Sequence, residues 1–227
     1  MSNTEGDRDP DPQIPILYGD QHLCLVNKPA GIPVQPDRTG DRSVIEILRK
    51  SIGKEIHLVH RLDRPVSGVL LFALDPTTLR TMNEQFRQRQ VHKIYWAIVE
   101  GSWDPDQKLL EHRLTHDARS IKARLADPIG DEKIAKLQVE LLAKGDRYSL
   151  LKVIPEGGQF HQIRAQLAAA GHAIKGDVKY GARRGEKDRS IALHARSIAF
   201  HHPATDRKMD VIAPPPAAPL WAALLAQ

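Results

Sequence analysis

A charged segment runs directly into an apolar one at residues 60–73, HRLDRPVSGVLLFA, and this junction constrains the fold more than any other part of the sequence. Pro65 fixes its own φ and keeps Arg64 out of the helical region. Gly68 permits a tight backbone path, and the VLLFA that follows is typical of a buried strand. We therefore predict that Asp63 lies on a stiff loop at the edge of a sheet.

The charges at this junction have two interpretations. Arg61, Asp63 and Arg64 are consistent with a structural ion-pair cluster at the surface, and such a tetrapeptide taken alone favours that interpretation. The alternative is a reactive carboxylate held between two arginines. Choosing between them requires other parts of the chain.

Hydrophobic patterns along the chain predict a mixture of strands and helices. Apolar or alternating runs indicate strands, and a period near 3.6 residues after a capping residue indicates helices. Strands are expected at 16–18, 22–27, 56–59, 67–74, 91–100, 136–142, 147–154 and 190–201, and helices at 44–52, 76–89, 160–171 and around Trp221. A turn through Gly145 and Asp146 makes the second half antiparallel.

Charge and hydropathy limit the class of protein. The 227 residues contain no apolar run near the roughly 20 residues of a membrane span. Residues 1–14 hold four acidic groups and one basic group and lack hydrophobic periodicity, so we predict a disordered leader there and one domain over 15–227. That domain carries 32 basic and 24 acidic residues, an excess that favours a polyanionic partner such as RNA or DNA. A cytoplasmic protein is expected.

Two further segments place polar side chains at structured positions. The alternation of VHKIYWAIVE puts Lys93 and Tyr95 on the same face of a strand. In FHQIRAQLAAAG, His161 and Arg164 are three residues apart and share one face near the start of a predicted helix. Each of these residues has an ordinary structural explanation by itself.

Four motifs in this order resemble the RluA-type pseudouridine synthase family, whose members isomerise selected uridines in ribosomal or transfer RNA. The matching segments are KPAG at 28–31, HRLDR followed by SG at 60–68, K-x-Y-x-A at 93–97 with a later glycine, and HQIRAQLAAAGHAIKGDVKYG at 161–181. Together they extend over most of the chain, whereas no single motif would identify the family.

The resemblance implies roles for individual residues. Asp63 corresponds to the catalytic aspartate, Tyr95 to the active-site tyrosine, and Arg164 to the basic partner of the aspartate. Transfer of a sugar from N1 to C5 of uracil needs a carboxylate that stabilises or traps a cationic sugar, or takes a proton beside it. The residues expected to contact substrate or RNA are Arg61, which helps displace the target base, and Arg64, Lys28, Lys93, His161, Ile163 and Arg183.

The resemblance also implies the architecture and the partners. An α+β (mixed α/β) fold is expected, with a central, largely antiparallel twisted sheet flanked by helices and a basic cleft where the three catalytic candidates converge. The expected partner is ribosomal or transfer RNA, the protein is expected to be a monomer, and the reaction uses no metal or cofactor. Because the motifs begin within the first 30 residues, we expect no N-terminal S4-like RNA-binding domain, so the catalytic domain itself must recognise the target.

The sequence departs from the family pattern at two places. Residues 157–159 are Gly-Gly-Gln, followed by Phe160, where the family commonly has Thr-Gly-Arg before the His-Gln-Ile-Arg helix. Val66 replaces a frequent threonine. Both departures concern efficiency and choice of substrate more than reaction type.

Three alternative functions stay open on the sequence. In a non-catalytic RNA-binding or RNA-folding module, Asp63 would be structural. An Asp-dependent glycoside or nucleoside hydrolase would use the same carboxylate, although such enzymes usually pair two carboxylates and none accompanies Asp63 in its motif. A metal site among the 11 histidines lacks a recognisable ligand framework, although His57 and His60 are three residues apart.

Overall fold

The computed structural model describes residues 12–126 and 133–227. Most of the predicted leader, residues 1–11, lies outside these ranges. Ile14, which the prediction assigned to the leader, instead packs against the main hydrophobic cluster. Removal of its apolar side chain from water stabilises this contact.

Eleven strands and four α-helices make up the described part of the chain. The strands are β1 (Ile16–Gly19), β2 (Leu23–Lys28), β3 (His57–Leu58), β4 (Ser67–Ala73), β5 (His92–Glu100), β6 (Leu109–Asp117), β7 (Lys122–Leu125), β8 (Ile134–Lys144), β9 (Tyr148–Pro155), β10 (Leu193–His201) and β11 (Lys208–Ile212). The helices are α1 (Val44–Ile52), α2 (Pro76–Arg87), α3 (Gln162–Ala169) and α4 (Pro219–Leu225), with a 3₁₀ turn at Val178–Tyr180. All predicted elements are present, and β6, β7 and β11 lie outside the predicted strand ranges.

The strands form one mixed sheet in the order β1-β2-β4-β10-β5-β9-β8-β6-β7, with β3 on β4 and β11 on β10. Among the described strands, β4 and β10 pair in parallel and the other pairs are antiparallel. The expected α+β fold with a largely antiparallel sheet is confirmed.

The central strand β4 is buried along its whole length. Leu70 and Phe72 contribute to the cluster that also contains residues of α1 and α3, whereas Val69 and Leu71 contribute to a second cluster on the opposite face. Burial on both faces explains why VLLFA is continuously apolar instead of alternating. Each such side chain stabilises the fold by about 1.5–3 kcal/mol relative to an exposed one.

Gly68 allows the charged loop to pass directly into β4. Its φ is +115°, and a Cβ there would lie closer than 3.0 Å to the backbone of Ala195 in β10. A larger residue would therefore separate these two parallel strands at the point where the loop ends. The glycine fixes the position of Asp63 relative to the sheet.

The first two helices begin where their capping residues predict. Ser43 Oγ accepts from the Glu46 backbone N–H while the Glu46 carboxylate accepts from the Ser43 backbone N–H, which is a complete capping box. Asp75 caps α2, and Pro76 occupies its first turn. Within the described residues, no helix combines the length and the apolar character needed to cross a bilayer.

Candidate active site

A cleft of about 1050 Å³ lies on the face of the sheet that α3 covers, and it is the place where the predicted catalytic residues meet. Its walls come from the loop before β4, the end of α2, the start of β5, the end of β9 and the first turn of α3. The functional candidates among its lining residues are Arg61, Asp63, Lys93, Tyr95, His161, Ile163 and Arg164, and further cations there are Arg87, Arg89 and Lys133.

The loop that carries Asp63 is held by backbone hydrogen bonds at three points. The Val66 N–H donates to the Asp63 carbonyl at 3.0 Å, the Gly31 N–H to the Arg64 carbonyl at 2.8 Å, and the Ile191 N–H to the Pro65 carbonyl at 3.1 Å. The stiff loop predicted from Pro65 and Gly68 is therefore present. The Asp63 side chain is 28% exposed and faces the cleft.

Lys28 requires a correction to the sequence prediction. Its side chain is fully buried, and its ammonium donates to the carbonyls of Pro29, Ile32 and Arg64 at 2.9, 2.9 and 3.1 Å. Burial lowers the pKa of Lys28 to about 7, and the charge of Asp63 opposes part of that shift. An ammonium surrounded by three carbonyls does not reach a phosphate, so Lys28 ties the 28–32 loop to the Asp63 loop and does not contact RNA.

Arg64 also points away from the cleft. Its Nε donates to the Gly31 carbonyl at 2.7 Å, and its terminal nitrogens pair with Asp37 and Asp41. Arg64 is not one of the cleft-lining residues. Of the two arginines that flank Asp63, the structure therefore brings Arg61 into the cleft and commits Arg64 to a neighbouring loop.

Arg164 joins two carboxylates across the base of the cleft. Its Nη1 donates to Asp63 Oδ2 at 2.9 Å, while Nε and Nη2 donate to the two oxygens of Asp177 at 2.7 and 2.8 Å. Burial alone would lower the pKa of Arg164, but the bonds to Asp177 and the charge of Asp63 raise it overall. Arg164 is 5% exposed, and its guanidinium stays charged where it contacts Asp63.

Asp177 was not identified from the sequence as a site residue. It is 1% exposed and follows Gly176 in the segment that the patterns indicated as a loop. The planar guanidinium of Arg164 donates from two edges. Asp177 accepts two hydrogen bonds from one edge, and Nη1 on the other edge donates to Asp63. The only sequence feature that marks Asp177 is that it is the single acidic residue in KGDVKYG. This pattern does not define the position of Asp177 in space.

His161 occupies the position between Asp63 and the 3₁₀ turn. Its φ of +52° places this bulky residue in the left-handed region just before α3. Nε2 lies 3.0 Å from Arg164 Nη1 and 3.3 Å from Asp63 Oδ2, and Nδ1 lies 2.9 Å from the Tyr180 hydroxyl. Burial lowers the pKa of His161 to about 4 despite the attraction of Asp63, so the imidazole is neutral near pH 7.

Tyr95 lines the cleft from β5 and is 9% exposed. The described residues give its hydroxyl no hydrogen-bond partner, so it is available to a bound molecule. Burial, and then the negative charge of Asp63, raise the pKa of Tyr95 above its ordinary value of 10.0. The phenol is therefore protonated at physiological pH and suits hydrogen bonding or packing better than proton abstraction.

Four other residues were predicted to contact substrate or RNA, and three of them line the cleft while Arg183 does not. Lys93 shares the Tyr95 face of β5 as predicted, donates to the Gly157 carbonyl at 2.7 Å, and has a pKa lowered by burial. Ile163 is 8% exposed and lines the cleft from α3, and Arg61 lines it as an exposed cation. Arg183 is 92% exposed outside the cleft, where its backbone N–H donates to Glu100 at 3.0 Å.

The donor set does not resemble a metal centre. Within residues 12–126 and 133–227, no group of three or more His, Cys, Asp or Glu side chains is arranged to hold a metal ion. What the cleft presents is a carboxylate with Oδ2 held and Oδ1 without a partner among the described residues, a neutral phenol and several cations. Such a carboxylate can attack or stabilise an electron-poor carbon in an anionic substrate.

Comparison with known proteins finds similarity to one family over most of the chain. The family described as RNA pseudouridylate synthase matches residues 22–169. The chain is 35% identical over 207 residues to the ribosomal large subunit pseudouridine synthase C of Vibrio cholerae, covering 88% of this chain and 65% of that protein. It is 36% identical over 225 residues to the tRNA pseudouridine synthase C of Haemophilus ducreyi, covering 88% and 90%.

Solved structures agree at the level of the fold. Human RNA pseudouridylate synthase domain containing 1 superposes with a TM-score of 0.80 at 24% identity, over 96% of this chain and 90% of that one. Human RNA pseudouridylate synthase domain containing 4 superposes with a TM-score of 0.74 at 26% identity, over 93% and 92%.

Proposed function

The chain belongs to the RNA pseudouridylate synthase family, and from that premise we propose that it isomerises specific uridines of RNA to pseudouridine with Asp63 as the catalytic carboxylate. The observation that carries the proposal is the Arg164 bridge. It holds one oxygen of Asp63 at 2.9 Å and leaves the other oxygen facing a cleft large enough for a nucleotide.

In the proposed reaction the bond between N1 of uracil and C1′ of ribose breaks, and C5 of the same uracil then bonds to C1′. Asp63 either attacks C1′, forming a bond that breaks again when C5 bonds to C1′, or takes a proton from the carbon beside C1′ and returns it at that step. N1 takes up a proton when its bond to C1′ is lost. The proton on C5 is lost at the end. All atoms except exchanging protons stay within one nucleoside, so the reaction needs no redox partner and no second substrate.

Neighbouring residues have distinct proposed roles. Tyr95 packs against the uracil or donates its hydroxyl proton to it, in keeping with its raised pKa. Ile163 supplies an apolar contact for the pyrimidine. Arg61 occupies the space that a uridine leaves in its stack, because the nucleotide must be extruded at a cost of a few kcal/mol before the reaction can occur.

RNA is the proposed partner, and its phosphates are proposed to lie along the cations of the cleft. Those at its walls are Arg61, Arg87, Arg89, Lys93 and Lys133. The similar proteins include a ribosomal large subunit synthase and a transfer RNA synthase, so we propose one of these two RNA classes as the target. We further propose a cytoplasmic monomer in which residues 15–227 form the catalytic unit.

The proposal is tested by mapping pseudouridines in total RNA from cells with and without the gene. At least one uridine in ribosomal or transfer RNA is expected to be modified only when the gene is present. Unchanged maps would contradict the proposal and favour a non-catalytic RNA-binding module, whereas abasic sites with free uracil would favour a hydrolase.

A further inference from the structure

Phe160 differs from the other aromatic residues of the chain. It is 41% exposed, and every other Phe, Tyr and Trp, all of which lie in the described residues, is buried or partly buried. A single exposed apolar residue needs no explanation by itself. The position and surroundings of this ring give it a function.

The Phe160 ring belongs to a stack that ends at the catalytic carboxylate. It lies parallel to the His161 ring, with the ring centroids 3.8 Å apart and the planes inclined by 18°. His161 in turn reaches Asp63 at 3.3 Å. On β6, His116 approaches Phe160 edge-on at 4.7 Å. Only the His161 ring therefore lies between Phe160 and Asp63.

The loop that carries Phe160 is anchored although the ring itself is exposed. The Lys93 ammonium donates to the Gly157 carbonyl at 2.7 Å, and the Gln159 side chain donates to the Lys133 carbonyl at 3.2 Å. Gln162 accepts from the Gln159 backbone N–H at 3.2 Å and donates to the Lys136 carbonyl at 3.0 Å. A ring on such a loop binds a partner with little loss of conformational entropy.

Phe160 also lies between two concave, cation-bearing surfaces. Its chain neighbours Gln159 and His161 line the cleft, whereas Phe160 stands outside it. On the other side, His116 lines a shallow hollow of about 710 Å³ at the end of the β6–β7 hairpin, together with Arg119 and with Arg124, which pairs with Asp117 of the same hollow at 2.8 Å. A strand of RNA leaving the cleft past Phe160 would meet further positive charge.

We propose that Phe160 is a stacking platform for the unpaired RNA base next to the uridine held in the cleft, an inference that rests on the proposed function. Extruding a uridine unstacks the bases on both sides of it. Arg61 fills the gap in the stack, and the exposed Phe160 ring beside the cleft offers a second face to the neighbouring unpaired base. The surrounding cations favour RNA over a protein partner as the occupant. The π-face tolerates any base, so Phe160 contributes affinity and register more than base identity.

The inference is tested with RNA from cells lacking the gene, by following pseudouridine formation at the mapped uridine. Stacking on an aromatic side chain predicts that Phe160→Ala and Phe160→Leu raise KM by about 5- to 100-fold with kcat nearly unchanged, and that Phe160→Trp keeps KM near the wild-type value. Ile212→Ala is the matched control, since Ile212 is a 53% exposed apolar residue on β11 and its loss should leave KM unchanged.

The outcomes separate this inference from the proposed function. Absence of pseudouridine formation by the wild-type protein would overturn both. An active wild type whose KM is unaffected by Phe160→Ala, or is restored by Phe160→Leu, would overturn the stacking role alone. A fall in kcat at constant KM would show that Phe160 only supports His161, and a changed oligomeric state at constant KM would indicate a protein contact instead; both results contradict the inference.

Discussion

Asp63 and Asp177 contact the same arginine from two different surroundings. Asp177 is 1% exposed and gives both oxygens to Arg164, whereas Asp63 is 28% exposed and gives it one. Asp177 lies next to the 3₁₀ turn in the interior, and Asp63 lies on a loop that borders the cleft. One carboxylate gives both oxygens to the fold, and the other keeps one oxygen without a partner among the described residues.

The difference shows how a buried cation can serve structure and reaction together. A guanidinium 5% exposed in the interior needs a charged partner, because an unpaired buried charge is strongly destabilising. Asp177 supplies that partner, so the bond to Asp63 is not needed to compensate the charge and can be adjusted during a reaction. Stability and activity should therefore separate between the two carboxylates.

Asp177→Asn has the largest predicted effect on folding. It leaves a buried guanidinium without its bidentate partner, and we expect the free energy of unfolding to fall by about 3–5 kcal/mol. Denaturant unfolding at pH 7 measures this loss. Molecules that remain folded should still form pseudouridine, since Asp63 and its loop are intact; a stable but inactive variant would contradict the division of roles.

His161→Gln is expected to have a smaller effect than Asp177→Asn, and it should change the free energy of unfolding at acid pH. Burial lowers the pKa of His161 from 6.5 to about 4, so the unfolded chain takes up the proton first as pH falls. Above about pH 6.5 His161 is neutral in both states and does not lower the free energy of unfolding. As the pH falls from 6.5 to 4, the free energy of unfolding decreases, by about 2 kcal/mol between pH 7 and pH 5. Unfolding measured at both pH values should show a smaller drop for His161→Gln than for wild type. Equal drops would contradict a neutral, buried His161.

The smallest predicted effect concerns Tyr95, whose ionisation should not change the reaction rate between pH 7 and 9. Burial and Asp63 raise its pKa, so the phenol stays protonated between pH 7 and 9. Because the proposed role of Tyr95 uses the protonated phenol, the single-turnover rate should not rise with pH through formation of the phenolate. Tyr95→Phe should lower the rate without changing the shape of the pH profile. A rate that rises tenfold per pH unit in wild type, and is flat in Tyr95→Phe, would instead identify Tyr95 as a base.

Local patterns were sufficient for the elements that local physics determines. The helices capped by Ser43 and Asp75 begin at the predicted residues 44 and 76, and the buried strand after Gly68 is present as predicted. The pairing of Asp63 with Arg164, 101 residues apart, was implied by the resemblance to the family and is present at 2.9 Å. The catalytic role of that pair stays a prediction.

What the sequence did not reveal depends on contacts between distant segments. Lys28 reads as a cation on an irregular loop, yet carbonyls from its own loop and from Arg64 enclose its ammonium. Asp177 reads as a turn residue, yet Arg164 approaches it from a helix. No periodicity or composition encodes such acceptors, because their positions exist only after the sheet has formed.

The most direct measurement is the single-turnover rate of pseudouridine formation by purified Asp63→Asn at the mapped uridine, compared with wild type at equal folded concentration. We expect the rate to fall by at least about 10³-fold, as for loss of a group that acts on the reacting atoms. Stability should change by less than about 1 kcal/mol, since a partly exposed ion pair contributes little. A folded Asp63→Asn that retains more than about a tenth of the wild-type rate would contradict the assignment of Asp63 as the catalytic carboxylate.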